Sequence, residues 1–134
     1  MKKLISAALV CIAACLMAAC SSGQSPKATV EKYATAVMKG DYRTALEQVA
    51  FKGTPEEVAR TREQYASLCE EKTKEGMKDS DRLSAFTIDN EQVDDEGGTA
   101  IVTATMTYAD GHQKTDDVKL VKDDDGQWLI DSNK

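Results

Sequence analysis

Few side chains in this chain could do chemistry, and their neighbours in the sequence decide what each can do. His112 is the one imidazole in 134 residues. It follows Asp110-Gly111, a dipeptide suited to a tight hairpin turn. A His beside an Asp is a pairing used in general acid–base work, but at a hairpin tip the expectation is an exposed turn residue. Cys69 stands next to Leu68 on an apolar helical stripe with no His nearby in the chain, which points to a buried, inert thiol. Asp123-Asp124-Asp125-Gly126 invites a calcium test. With Gly126 as the sixth position of an EF-hand loop, Val121 and Ser132 fall where acidic ligands are needed. The run Asp94-Asp95-Glu96 reads as a solvated turn that discourages edge pairing. No catalytic residue, no metal site and no cofactor is expected, and the chain is read as not an enzyme.

Residues 1–19 are laid out differently. Lys2 and Lys3 precede an apolar run from Leu4 to Met17, and small residues lead up to Cys20, which is the layout of a secretory signal peptide. The run is short for a membrane span, which needs about 20 apolar residues. Met17-Ala18-Ala19-Cys20 resembles the lipobox of bacterial lipoproteins, in which the cysteine is acylated before cleavage. Ile12-Ala13-Ala14-Cys15 fits the same pattern locally, but cleavage there leaves Leu16-Met17-Ala18-Ala19 at the new terminus, so Cys20 is the assigned lipid-attachment residue. Two or more acyl chains hold a protein stably at a membrane, where one chain holds it only marginally. In the Gram-negative resemblance an Asp after the cysteine favours the inner membrane. Ser21 stands there, and no acid appears before Glu31, so the implied location is the cell envelope, at the outer membrane facing the periplasm.

Processing would change the composition. The whole chain carries 17 basic and 23 acidic residues, a charge of −6. Loss of residues 1–19 takes Lys2 and Lys3 and no acid, leaving −8. With no basic block there is no electrostatic footprint for nucleic acid, so the membrane, through the lipid, is the partner the sequence names. Cys11 and Cys15 go with the leader, which leaves Cys69 as the lone thiol and no intramolecular disulfide. The expected organisation is a leader at 1–19, a lipidated cysteine and linker at 20–25, and one domain at 26–134.

That domain opens with helices. Ser25-Pro26 is an N-cap followed by Pro at the first helical position. Val30, Tyr33, Ala34, Val37 and Met38 then form one apolar stripe, and Gly40 closes the helix. Asp41 caps a second helix carrying Tyr42, Ala45, Leu46 and Val49, expected to run to about Phe51. Thr54-Pro55-Glu56-Glu57 spells a capping box and starts a third helix, with Val58, Tyr65, Leu68 and Cys69 as its apolar stripe to Gly76. Thr61 and Arg62 interrupt that stripe.

Strands follow. Gly97-Gly98, Asp110-Gly111 and Asp125-Gly126 separate runs at about 83–94, 99–109, 112–122 and 127–132, an antiparallel meander. Phe86, Ile88, Val102, Ala104, Met106, Tyr108, Val118, Leu120, Trp128 and Ile130 all sit at even positions, while Thr103, Thr105 and Thr107 occupy the odd face. An alternating sheet presents one apolar face for helices to cover. The expectation is an α+β fold, three helices packed on a four-stranded antiparallel sheet, with no Asp, Glu or His at the centre of the even face.

The element order, with the opening Ala34-Thr35-Ala36-Val37-Met38-Lys39-Gly40-Asp41-Tyr42-Arg43-Thr44-Ala45 and the closing Leu120-Val121-Lys122 through Asp125-Gly126-Gln127-Trp128-Leu129-Ile130, resembles small bacterial lipoproteins carrying a domain of unknown function of the nuclear-transport-factor-2-like (cystatin-like) superfamily. The resemblance covers about residues 26–134 and implies a curved sheet wrapped into a cone. It implies no established activity. Some relatives carry a lumazine-binding-like designation, which would require a matching pocket.

Two functional expectations follow. One is a non-catalytic lipoprotein module that recognises a protein or peptide through the threonine face or the cone mouth. The other is a periplasmic binder of a small ligand, with Tyr33, Tyr65, Met106, Tyr108 and Trp128 lining a pocket. An open cavity of about 300 Å³ or more would favour the second, and a filled cone the first.

Overall fold

The computed structural model describes residues 24–132, so the expected leader and Cys20 lie outside the described residues. Helix α1 (Pro26–Lys39) begins as its sequence predicts. The Ser25 hydroxyl accepts the Ala28 N–H at 3.1 Å, and Gly40 ends the helix at a φ of 76°, in the left-handed region that glycine enters without a Cβ clash. Helix α2 (Tyr42–Glu47) is capped by Asp41. It stops short of the expected Phe51, because Val49–Ala50 leaves the helix as strand β1. The capping box then starts helix α3 (Pro55–Gly76), with the Thr54 and Glu57 side chains each bonded to the other's backbone N–H.

Strands β2 (Leu83–Asp94), β3 (Thr99–Tyr108), β4 (Gln113–Lys122) and β5 (Trp128–Asp131) follow, joined by the three predicted hairpins. The sheet has five strands in the order β1-β5-β4-β3-β2 rather than the expected four. It is mixed, because β1 runs parallel to β5 with Val49 beside Ile130. The signal for β1 is only two residues long, and its apolar spacing continues that of α2; its pairing depends on β5, some 80 residues downstream.

The even face is the inner one. Val102, Ala104, Leu120 and Trp128 are buried there. Val30 of α1 packs onto Ala100, Val102, Leu120 and Trp128 to form the core. A buried Thr29 hydroxyl donates to the Trp128 carbonyl at 3.0 Å and ties α1 to β5. A bulge at Asp89 shifts the parity of β2, so that Glu91 stands opposite Val102 and its carboxylate accepts the Lys27 N–H at 2.8 Å at the start of α1.

The third helix departs from expectation. It packs on α2 and does not lie across the sheet, and Tyr65 and Leu68 are about half exposed. Its packed line is Arg62, Ala66, Cys69 and Thr73, one helical face at steps of four, three and four, half-buried at Arg62 and Cys69 and exposed at Thr73. Ala66 is fully buried. Arg62, the apparent interruption of the stripe, donates from Nε to the Leu46 carbonyl at 3.0 Å and from Nη2 to the Val49 carbonyl at 2.9 Å. The guanidinium thereby satisfies acceptors at the end of α2 and on β1. Arg43 of α2 answers with ion pairs to Glu63 and Glu70 of α3. Among the described residues, no helix is long and apolar enough to cross a membrane.

Candidate ligand-binding cleft

Because α3 leans away from the sheet, the cone is left open. A cleft of about 720 Å³ lies between the helices and the inner face. Its floor is Phe86, Ala104, Met106, Val118 and Ile130 of the sheet; α1 contributes Val30, Tyr33 and Ala34; the far wall is Leu46, Val49, Phe51 and Tyr65. The wall is braced by stacking of the Phe51 and Tyr65 rings, whose centroids are 5.8 Å apart, with Arg62 over Phe51. Small Ala104 keeps the middle of the floor low.

The charged residues of the lining all come from β4. Lys114 and Asp116, at even positions of β4, line the mouth and pair with each other at 3.5 Å. Asp116 corrects the expectation that the centre of the even face holds no carboxylate, since it stands opposite Ala104. It is tolerated there because the strand is uncovered at this point and the carboxylate reaches water. Ser132 also lines the cleft, but its hydroxyl donates to the Ala50 carbonyl. Tyr33 is largely buried. Desolvation pushes its hydroxyl pKa up, helped by Cys69 and Tyr108, so the phenol stays protonated and able to donate.

Of the aromatic set read from the sequence, Tyr33, Tyr65 and Met106 line the cleft. Trp128 does not; it is buried in the core beneath α1, with the Lys122 ammonium 5.3 Å above its ring. Tyr108 stacks on His112 at 4.6 Å and donates to the Met106 sulfur, beyond the cleft lining. Leu46, Phe51, Phe86, Lys114 and Asp116 were missing from that set. Phe86, Lys114 and Asp116 share the even parity that marks the inner face, whereas nothing in the sequence alone places Phe51 near the sheet.

Other candidate groups do not line the cleft. His112 is exposed at its hairpin; its backbone N–H and then its Nδ1 bond to the Asp110 carboxylate, and these contacts lower the Asp110 pKa. Cys69 is half-buried rather than fully buried. Asp123 accepts the Asp125 and Gln127 amides at 3.0 and 2.8 Å and so shapes a turn. The threonine face is internally bonded, Thr103 to Asp117 at 2.7 Å, Thr105 to Asp89 and Thr115, and Thr107 to Gln113 at 3.1 Å.

The sequence model of a family described as "Domain of unknown function (DUF4878)" matches residues 19–131. The chain belongs to this family. A crystal structure from Campylobacter jejuni, provisionally named an NTF2-like transpeptidase, is similar at a TM-score of 0.56 and 14% identity, over 82% of this chain and 100% of that one. At that identity the likeness concerns the fold, and the domain is NTF2-like. No curated protein matches the chain.

Proposed function

We propose that this DUF4878 domain is a non-catalytic binding module that takes an apolar ligand into the cleft, and that an acylated Cys20 holds it at the envelope membrane. The open, mostly apolar cleft of about 720 Å³ carries this reading. It has the size and lining of ligand sites, apolar walls with a few polar groups that fix orientation. The Tyr33 phenol inside and the Lys114–Asp116 pair at the mouth supply those groups. A recognition site on the threonine face has less support, because its hydroxyls already have partners.

The name of the Campylobacter neighbour raises acyl transfer as a contrast. Such chemistry needs a nucleophile with a base beside it. Ser132, on the cleft, donates to a backbone carbonyl, and His112 pairs with Asp110 on an exposed hairpin. The arrangement therefore favours binding over catalysis.

A fluorescence titration tests the cleft. With the chain from Gln24 onward, 1-anilinonaphthalene-8-sulfonate should bind saturably, and Ala104→Phe, which fills the floor, should weaken it about tenfold or more. Equal binding to both forms would refute the assignment. For the anchor, metabolic labelling with a fatty-acid analogue should mark the wild-type chain and not Cys20→Ser. Persistent labelling of the variant would rule out Cys20.

A further inference from the structure

Strand β4 is longer than the strand that covers it. β5 pairs only with Leu120–Lys122, so among the described residues the stretch from Gln113 to Val118 has β3 on one side and no strand on the other. The register shows which backbone groups are left open. Tyr108 N–H bonds to the His112 carbonyl and Lys122 N–H to that of Gly98, which turns the even residues of β4 towards β3. The odd residues turn the other way, as Asp123 does when it bonds to Gln127. Thr115 and Asp117 therefore present their N–H and C=O groups along the open edge.

The cleft opens onto this same edge. Lys114, Asp116 and Val118 line it from the inner face, and Asp117, whose side chain belongs to the outer face, lines it as well. An extended chain laid along β4 would continue the ladder and turn alternate side chains into the cleft. β2 also has an uncovered edge, but its register is broken between Leu83 and Ala85 and between Ile88 and Asn90, whereas the β3–β4 register is unbroken. Charge selects among strand-like occupants. A second copy pairing antiparallel about Asp116 or about Asp117 would set that carboxylate against its own counterpart, a like-charge cross-strand contact. A partner with basic residues facing Asp117 meets no such penalty.

We propose that the occupant of the cleft is an extended peptide segment of alternating apolar and basic residues, which adds as a strand to the free edge of β4 at Thr115–Asp117. This rests on the cleft being the binding site and names the class of ligand it takes. Apolar side chains turn to the inner face beside Lys114, Asp116 and Val118, which line the cleft. Basic side chains lie on the outer face near Asp117, and it is their residues' N–H groups that bond to β4.

Anisotropy of a fluorescently labelled Lys-Val-Lys-Val-Lys-Val peptide tests this, with the full chain in phosphatidylcholine nanodiscs and empty discs as the blank. The wild type should bind it. A peptide of the same sequence methylated on the lysine amide nitrogens should bind at least about tenfold more weakly. Asp117→Pro, which removes an edge N–H and the side-chain bond from Thr103 but no backbone bond to β3, should lose affinity similarly. Should Asp117→Pro not fold, the methylated peptide on wild type decides alone. Equal binding of both peptides, with loss in Ala104→Phe, would overturn strand addition and leave the cleft as the site. Equal binding of both, unaffected by Ala104→Phe, would overturn strand addition and the cleft reading together. No binding of the unmodified peptide would overturn strand addition.

Discussion

Asp41 shows how much a single exposed side chain can contribute at a helix start. Its carboxylate accepts from Thr44, and these hydrogen bonds, followed by the charges of Arg43 and Lys39, hold its pKa below the ordinary value of 3.8. A depressed folded-state pKa means a contribution that is complete above the unfolded value and is lost as the pH falls through the folded one. Asn caps about as well as Asp but does not titrate. Asp41→Asn should therefore unfold at nearly the wild-type temperature once the pH lies below the folded-state pKa of Asp41, with the wild type gaining an advantage as the pH rises from there past 3.8. A difference in melting temperature that does not vary with pH would contradict the assignment. Asp41 was legible as a cap because a polar residue after Gly40 opened an apolar stripe. Thr29 was not, since only the fold reveals that a threonine one position before Val30 is fully buried and bonded to a carbonyl 99 residues away.

Among the elements, α3 decides the shape of the site. Its start was readable from Thr54-Pro55-Glu56-Glu57, and its end from Gly76. Its packing was not, because the apolar residues Tyr65 and Leu68 lie on a flank while Arg62 and Ala66 face α2. An arginine can serve on a packed face when its fork finds carbonyls and its stem covers apolar surface, and here the carbonyls are those of Leu46 and Val49. Arg62→Met keeps the stem and loses the fork. It should cost about 1.5–3 kcal/mol in urea denaturation, the range for hydrogen bonds to a charged group, and should loosen the Phe51–Tyr65 wall. An unchanged midpoint would show that these bonds add nothing net. The strands were more legible, since alternation and turn dipeptides fix both the bounds and the inner face of β3, β4 and β5. The parity argument failed locally in β2, where the bulge at Asp89 inserts a residue that alternation does not foresee.

At the scale of the molecule, an NTF2-like α+β domain of the family followed from element order, but whether its cone is filled or open did not. That depends on the tilt of one long helix, which is set by Arg43, Arg62 and Tyr42, the last sharing a hydrogen bond with Thr73 at 2.7 Å. Patterning shows which residues face inward and leaves open whether anything covers them. We propose the uncovered inner face as the binding site. Its most direct test is methyl-resolved NMR of the chain from Gln24 onward during titration with 1-anilinonaphthalene-8-sulfonate. Saturable shifts are expected at Met106, Ala104 and Val118, with Met38, on the exposed side of α1, unmoved. Shifts at Met38 equal to those at Met106, or none at either, would contradict the proposal.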